Sequence, residues 1–344
     1  MTRIGILCSA HGFGHVARQL AVAEVLMDRG ADVEVWTSAP KQVVHDYLPR
    51  LRVRSTRLDV GLVQSDSLHE DLPATADALR HYASEEHVRD VAAALEAASF
   101  DAIVVDAPPV ALEAARRLGV PAVLASNFDW AWIYSHYPEL REISARFAAW
   151  QEPHPALRMT PGTPMTHFAR VDDVGVVGRW RPPQRPAGTS AEEQLVLVSF
   201  GGFGLHGLDA LLPVVAGVRW LLAPPMAPLD RPDCTFVTDL SYPAMVGGVD
   251  RVLTKPGYGI YGEAALGRTQ VLLLPRRGFP ESPYLTRAFV DRGDVLLDDA
   301  SPSALRAHLE RVLRGAVRRP PPVAADGAVR VAERVLSLAT AGTS

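Results

Sequence analysis

A histidine stands directly after a glycine-rich turn near the start of the chain. Gly12 and Gly14 precede His15, between an apolar run at residues 4–8 and a helical pattern at residues 16–29. Glycine lets backbone N–H groups approach a ligand closely, and the positive end of a helix disfavours an imidazolium. We therefore expect His15 to stay neutral and to act as a base. The alternative is a tight turn in which the histidine only caps the helix.

Acidic and amide side chains stand where other apolar runs end. Asp106 ends one such run and is the second candidate for a base. Asn127 and Asp129 follow another run in the same way, and Asp66 lies in a segment between predicted elements. Each of these residues has an alternative role as a helix cap or a turn residue.

Two turns in the second half of the chain have the character of phosphate sites. Gly201 and Gly202 follow the apolar run 195–200, so their bare backbone can approach a diphosphate. Residues 255–259 follow another strand and open a helix, whose unpaired N–H groups suit a phosphate. Lys255 adds a positive charge there. An ordinary turn is the alternative at either place.

The composition excludes several classes of protein. The chain has 344 residues, 48% of them hydrophobic and 22% charged, which is enough for a sizeable core and suggests two domains. The net charge of −4 gives no sign of a nucleic-acid partner. Cys8 and Cys234 stand far apart, so the sequence predicts neither a disulfide framework nor a zinc site, and we assign no metal ligands.

We expect no targeting or membrane segment in this chain. The first residues lead straight into a predicted strand, without an apolar segment followed by a cleavage site. No stretch approaches the roughly 18 uninterrupted apolar residues of a membrane-spanning helix. These features favour a cytoplasmic protein, and they give no indication of its oligomeric state.

Short apolar strands alternate with helical patterns through both halves of the chain. Such alternation predicts an α/β fold in which each half forms a parallel sheet covered by helices on both faces. The predicted strands cover residues 4–8, 33–37, 53–55, 102–106, 122–125, 195–200, 220–223, 235–237, 251–254, 271–274 and 295–297. The predicted helices cover residues 16–29, 75–98, 110–118, 259–266, 284–291, 304–313 and 323–338.

The same pattern predicts two doubly wound, Rossmann-like domains. Residues 1–178 form the first, residues 179–194 a linker, and residues 195–322 the second. Residues 323–344 contain a final helix long enough to pack back on the first domain. In open α/β sheets ligands bind at the carboxyl ends of the strands, so we expect a site in a cleft between the domains.

Two such domains, with Gly-x-Gly-His in the first and Gly-Gly in the second, resemble the GT-B fold of nucleotide-sugar glycosyltransferases. A narrower resemblance, to the N-terminal glycosyltransferase-like half of plant-type L-arabinokinases, covers nearly the whole chain. The sugar-kinase half of those proteins, with its glycine- and serine-rich ATP loop, has no counterpart here, so we do not expect kinase activity. The motifs that carry the resemblance lie at residues 12–15, 58–66, 105–106, 126–130, 199–202, 255–259, 263–264, 276–277 and 283–285.

The resemblance implies a role for each polar residue of these motifs. In GT-B transferases a carboxylate at the place of Glu263 holds the ribose hydroxyls of the nucleotide, although a glutamate near a helix start also suits the helix dipole. Arg276 or Arg277 would offset the diphosphate charge, unless they form a solvated pair, and Glu281 would accept bonds from the donor sugar. The remaining donor-side residues would be Gly201, Gly202, Lys255, Gly257, Tyr258 and Gly259, and the acceptor-side residues Gly12, Gly14, Asp66, Asn127 and Asp129.

The resemblance also implies the reaction, which is that of a glycosyltransferase. The second domain has no clear Asp-x-Asp pair at a strand end, so we expect the reaction to need no metal, and we expect no cofactor. The donor would be a UDP- or dTDP-type nucleotide-sugar, the acceptor a hydroxyl compound, and the mechanism inverting. His15 or Asp106 would take the acceptor proton as the oxygen attacks the anomeric carbon. Three alternatives stay open: a nucleotide-sugar hydrolase, a non-catalytic nucleotide-sugar-binding protein, and a partner subunit of a separate sugar kinase.

Overall fold

The structure, a computed structural model, describes residues 1–64, 70–200, 207–299 and 301–341. The described residues form two compact units. The first unit holds those up to Gly178 together with those from Ala324 onward, and the second lies within Arg179–Val323. The chain therefore leaves the first unit after Gly178 and returns to it for its last helix.

Each unit is built on one parallel sheet, as the alternation of strands and helices predicts. In chain order the strands are β1 (Arg3–Cys8), β2 (Asp32–Thr37), β3 (Arg52–Ser55), β4 (Ala102–Asp106), β5 (Ala122–Ser126), β6 (Pro155–Met159), β7 (Arg170–Val174), β8 (Gln194–Ser199), β9 (Val218–Leu222), β10 (Cys234–Phe236), β11 (Arg251–Thr254), β12 (Gln270–Leu273) and β13 (Val295–Leu296). The first sheet has the order β3-β2-β1-β4-β5-β6-β7, and the second β10-β9-β8-β11-β12-β13. The predicted α/β class is confirmed.

Two strands of the first sheet were not expected from the sequence. β7 lies at the edge of the sheet and carries three charged residues among five, so it lacks the apolar run of a central strand. β6 begins with Pro155 and contains Arg158, and neither residue is typical of a central strand. The central strands β4 and β5 are buried along their whole length, which explains why their sequences are apolar on both faces.

The helices alternate with these strands. In chain order they are α1 (Phe13–Asp28), α2 (Lys41–His45), α3 (Leu72–Tyr82), α4 (Glu85–Ala98), α5 (Pro109–Leu118), α6 (Trp130–Ser135), a 3₁₀ turn (Pro138–Leu140), α7 (Arg141–Gln151), α8 (Leu208–Leu211), α9 (Tyr242–Gly248), α10 (Tyr258–Gly267), α11 (Ser282–Arg292), α12 (Pro302–Leu313) and α13 (Gly327–Ala341). Within the described ranges, no helix combines the length and the apolar character needed to cross a membrane.

The single helix predicted for residues 75–98 is wrong, because the structure has two helices there. α3 ends at Tyr82, and α4 begins after Ser84, whose hydroxyl accepts a hydrogen bond from the backbone N–H of His87 at 3.1 Å. A serine cap of this kind starts a new helix. The apolar spacing continues across the break, so the periodicity alone did not reveal it.

The last helix, α13, packs against α1 within the first unit. It begins at Gly327, four residues later than predicted, because the preceding segment is held extended beside residues 175–177. There the backbone N–H of Val176 donates to the carbonyl of Ala324 at 3.0 Å. A Cβ at position 327 would lie 2.3 Å from the carbonyl oxygen of Gly175, so this close approach requires glycine.

Candidate functional site

His15 lies in the first turn of α1, directly behind the glycine turn. Gly12 precedes the helix with a φ of +74°, in the left-handed region that favours glycine. The His15 side chain is buried, and its ring Nδ1 lies 2.8 Å from Oδ1 of Asp106, the last residue of β4. The first-turn histidine and the strand-end aspartate, more than 90 residues apart in sequence, thus form one pair.

Both carboxylate oxygens of Asp106 are occupied by donors. Arg18 donates from Nη2 to Oδ1 and from Nε to Oδ2, each at 2.6 Å, and Gln19 donates to Oδ2 at 2.9 Å. Burial alone would raise the pKa of Asp106, but Arg18 and His15 outweigh it and hold that pKa well below its usual range. A carboxylate so firmly ionised is a poor proton acceptor, so its geometry favours a positioning role over the role of base that the sequence suggested.

The hydrogen bonds also assign the tautomer of His15. An ionised Asp106 only accepts, so the His15 Nδ1 must carry the proton that it donates. Arg18 Nη2 also lies 2.7 Å from this Nδ1, but its two N–H groups have acceptors in Asp106 and in the Ser126 hydroxyl, at 2.9 Å. Burial, and then Arg18, lower the pKa of His15. The ring is therefore neutral near pH 7, with its lone pair on Nε2.

Arg18 is a member of this cluster that the sequence analysis missed. Its side chain is 2% exposed and also donates to the Asn127 side-chain oxygen. Asn127, expected on the acceptor side, is therefore part of the framework around Asp106. The available signal was the spacing: Arg18 lies one turn after His15 on the same helix face, in a part of α1 whose side chains are buried. We call His15, Arg18, Asp106 and Asn127 the His15 cluster.

Asp129 caps α6, the alternative role that its position also allowed. Its Oδ1 accepts from the backbone N–H of Trp132 at 2.7 Å, while Oδ2 is buried and has no hydrogen-bond partner among the described residues. Burial raises the pKa of Asp129 to about 7. The two tryptophans that follow, Trp130 and Trp132, are both buried in the first unit.

Asp59, in the segment after β3, is a second buried carboxylate near the glycine turn. Asp59 accepts from the Ser9 hydroxyl at 3.0 Å and from the Trp130 indole N–H at 2.7 Å, and burial raises its pKa to about 6. Gly61 has a φ of +64°, and a Cβ there would lie 2.5 Å from the His11 ring. These contacts give a structural role to Asp59 and Gly61, in the motif whose later residues are assigned to the acceptor side. Asp66 lies outside the described residues.

In the second unit, α10 begins directly after β11. Gly257 is its N-cap residue, and Tyr258 and Gly259 form the first turn. The N–H groups of this turn lie at the carboxyl end of the sheet, as does Lys255, the residue after β11, and an anion would be stabilised there. Gly201 and Gly202, the other predicted phosphate turn, lie outside the described residues.

Glu263, in the second turn of α10, is buried and paired with Arg179. The Nε and Nη2 atoms of Arg179 each lie 2.6 Å from Oε1 of Glu263. Burial raises the pKa of Glu263, although Arg179 opposes this effect. The Arg179 guanidinium also lies 5.9 Å from the ring centre of Tyr242, and the Tyr242 hydroxyl is hydrogen-bonded to the hydroxyl of Ser199. Neither Arg179 nor Tyr242 was predicted from the sequence to lie at this site.

Arg276 and Arg277, which follow β12, have different surroundings. Arg276 lies over the Phe279 ring, 4.3 Å from its centre. Arg277 is 81% exposed and pairs with Asp299 at 2.7 Å, which is the solvated alternative. Glu281 is buried and directly precedes α11. In the described part of the chain, no three His, Cys, Asp or Glu side chains are grouped to hold a metal ion.

Comparison with known sequences confirms the resemblance to L-arabinokinase. The L-arabinokinase of Arabidopsis thaliana is 29% identical over 297 residues, which are 80% of this chain and 28% of that protein. This chain therefore matches less than a third of the length of its relative. No protein-family model matches the chain.

Solved structures decide the fold. A UDP-glucosyltransferase from Polygonum tinctorium superposes with a TM-score of 0.63 and 14% identity, over 100% of this chain and 94% of that one. The glycosyltransferase VinC, solved in complex with dTDP, superposes with a TM-score of 0.59 and 16% identity, over 99% and 96% of the two chains. The chain has the GT-B fold. Within this GT-B chain, the first unit contains the His15 cluster and the second contains the pair Glu263 and Arg179.

Proposed function

We propose that the protein is a glycosyltransferase that moves a sugar from a nucleotide-sugar to an acceptor hydroxyl. The observation that carries this proposal is the buried pair of neutral His15 and ionised Asp106 at the carboxyl end of a GT-B sheet. The GT-B fold and the sequence likeness to L-arabinokinase support it. A base held this way suits the removal of a proton from an alcohol.

The reaction would be a single displacement. The acceptor oxygen attacks the anomeric carbon and gives its proton to Nε2 of His15. The bond between the anomeric carbon and the diphosphate oxygen breaks, and its electron pair leaves with the nucleoside diphosphate. One attack from the opposite face inverts the anomeric centre. Asp106, fixed by Arg18, keeps the ring oriented and stabilises the imidazolium that forms.

The charge of the departing diphosphate would be met by the protein itself. The N-terminal turn of α10 and Lys255 would supply positive potential at the carboxyl end of the second sheet, and Arg276, which follows β12, would add a further positive charge. We infer from this set that the transfer is metal-independent and needs no cofactor. Arg277 has no part in this proposal, because it pairs with Asp299.

The donor would carry a uridine or thymidine nucleotide, bound by the second unit. UDP and dTDP appear in the names of the two solved glycosyltransferases that superpose on this chain. Glu263 would accept hydrogen bonds from the ribose hydroxyls, and Glu281 from the donor sugar. Both carboxylates are buried, so a ligand that bonds to them would be held in a desolvated place.

The test has two steps. A thermal-shift screen of UDP- and dTDP-sugars identifies the donor, and mass spectrometry then follows its reaction with alcohol, phenol and sugar acceptors. We expect an acceptor product heavier by one sugar residue, formed by the wild type and by His45→Ala, a control on α2, and strongly reduced in His15→Ala. Release of free sugar without any acceptor product identifies a hydrolase instead, and binding without turnover identifies a binding protein.

A further inference from the structure

Arg179 pairs with Glu263 through a single carboxylate oxygen. Both arginine nitrogens lie 2.6 Å from Oε1, so the contacts of Arg179 leave Oε2 of the carboxylate to other donors. The two side chains are 10% and 3% exposed, so they are fixed by packing as well as by charge. Arg179 is the first residue of the second unit, and its partner is 84 residues away in the chain.

A buried carboxylate needs such a partner to accept hydrogen bonds. Burial favours the protonated form of Glu263, in which one oxygen becomes a donor and the other loses much of its strength as an acceptor. Arg179 opposes this effect from one side. A ribose presents two adjacent hydroxyls, which are donors and require an ionised acceptor for the strongest bonds.

The position of Arg179 is itself fixed by its neighbours. Its guanidinium lies 5.9 Å from the ring centre of Tyr242, within reach of a cation–π contact, and the Tyr242 hydroxyl is bonded to Ser199. Ser199 is the last residue of β8, so this chain of contacts connects Arg179 to the carboxyl end of the sheet.

We propose that Arg179 is a positioning residue for nucleotide binding, which fixes the Glu263 carboxylate through Oε1 and leaves Oε2 to accept the ribose hydroxyls. The inference rests on the proposed function, since it assigns the ribose of the donor nucleotide to Glu263. Arg179 acts through Glu263 and not by contact with the reacting atoms. Its effect should therefore appear in the recognition of the ribose hydroxyls and not in that of the diphosphate.

The experiment compares nucleotides with and without ribose hydroxyls by calorimetry. UDP is paired with 2′,3′-dideoxy-UDP, and dTDP with its 3′-deoxy analogue, on the wild type, Arg179→Gln and Arg179→Lys. Arg219→Gln is the matched control, because Arg219 also pairs with a carboxylate through one of its oxygens, Oε1 of Glu193, from Nε at 2.8 Å and Nη2 at 2.6 Å. Thermal unfolding of each variant verifies that it is folded.

We expect the wild type and Arg219→Gln to bind the hydroxylated nucleotide about 10-fold or more tightly than its deoxy analogue. Arg179→Gln should lose most of this preference while its affinity for the deoxy analogue stays within about 3-fold of the wild type. Arg179→Lys keeps the charge without the two-nitrogen contact, so its preference should be intermediate. If Arg179→Gln does not fold, Arg179→Lys provides the measurement instead.

Three results overturn the proposal. If Arg179→Lys and Arg179→Gln keep the full preference for ribose hydroxyls, Arg179 does not position Glu263. If the wild type binds UDP or dTDP without any preference, the ribose assignment of Glu263 is wrong, while sugar transfer remains as proposed. A wild type that binds none of these nucleotides contradicts the proposed function, and this inference with it.

Discussion

Asp106 and Glu263 are both buried carboxylates beside an arginine, yet their surroundings differ. Asp106 accepts hydrogen bonds from three side chains, those of His15, Arg18 and Gln19, and these occupy both of its oxygens. Glu263 is bonded by Arg179 at one oxygen. The pKa of Asp106 is accordingly held far below its usual range, whereas burial raises that of Glu263.

The comparison shows that the number of donors, more than burial itself, decides what a buried carboxylate does. Asp106 has its full set of protein donors and serves as a fixed anion in the framework of the His15 cluster. Glu263 retains an oxygen that Arg179 does not use, and a hydroxylated ligand can supply the missing donors. We therefore expect changes around Asp106 to affect catalysis or folding, and changes at Glu263 to affect ligand affinity as well.

The largest effect is expected at the base. His15→Ala should lower the rate of sugar transfer by about 10²–10⁴-fold, because no other group in the cluster is free to take the acceptor proton. Asp106 keeps Arg18 and Gln19 as donors, so the protein should still fold. Initial rates by mass spectrometry measure the effect. A variant that transfers sugar at the wild-type rate would return His15 to a purely structural role.

Replacement of the buried Arg18 should lower the free energy of unfolding. Arg18→Ala leaves Asp106 buried beside a neutral histidine, and breaking a buried ion pair in this way costs about 3–5 kcal/mol of unfolding free energy. Arg29→Ala, at the exposed end of α1, removes an exposed pair with Glu333 and should cost less than about 1 kcal/mol. Urea denaturation measures both. A cost below about 1 kcal/mol for Arg18→Ala would mean that the His15 cluster rearranges and that Asp106 does not depend on Arg18.

Asp129→Asn should make stability less dependent on pH. The pKa of Asp129 rises from its ordinary value of 3.8 to about 7 on folding, so the folded wild type holds a proton that the unfolded chain releases. Wild-type stability therefore falls as the pH rises from about 4 to 7, by on the order of 3 kcal/mol, whereas asparagine keeps the cap and cannot ionise.

The measurement is the free energy of unfolding at pH 4, 6 and 8 for the wild type and Asp129→Asn. We expect the difference to move in favour of the variant as the pH rises. Asp71→Asn is the control, since Asp71 caps α3 by accepting from Ala74 but is only half buried. A difference that stays constant over this range would show that Asp129 ionises normally.

Glu263→Gln should weaken nucleotide binding, and it should also lower stability, because Arg179 then loses its charged partner in a buried pair. The loss of a charge-assisted bond to ribose corresponds to about 1.5–3 kcal/mol of UDP affinity, measured by calorimetry. Glu193→Gln provides the control, because Glu193 holds an arginine in the same geometry. Equal affinity in wild type and Glu263→Gln would remove Glu263 from the nucleotide site and end the contrast with Asp106.

The sequence was most informative where a feature is local. The central strands and the place of His15 in the first turn of α1 follow from apolar runs and glycine spacing. The break between α3 and α4 was missed, because Ser84 acts as a cap within an unbroken apolar periodicity. The edge strand β7 was missed as well, because three of its five residues are charged and it lacks the apolar run of a central strand.

The sequence was least informative where a residue takes its role from a distant partner. Arg18 meets Asp106 across 88 positions, and Arg179 meets Glu263 across 84. Neither spacing leaves a local pattern, and a buried arginine looks like a surface arginine until its acceptor is known. The assignment of Asp106 as the alternative base could not take this into account, because only the structure reveals that both of its oxygens accept hydrogen bonds.

The most direct test of the central claim, that neutral His15 is the base of sugar transfer, is the pH dependence of kcat/KM. Burial and Arg18 lower the pKa of His15 below its ordinary value of 6.5, and a base works only when deprotonated. We predict a rate that is level at pH 7 and above and falls on the acid side with a midpoint below 6.5. This acid limb should be absent from the residual activity of His15→Ala. A midpoint above 6.5, or the same limb in the variant, would contradict the account.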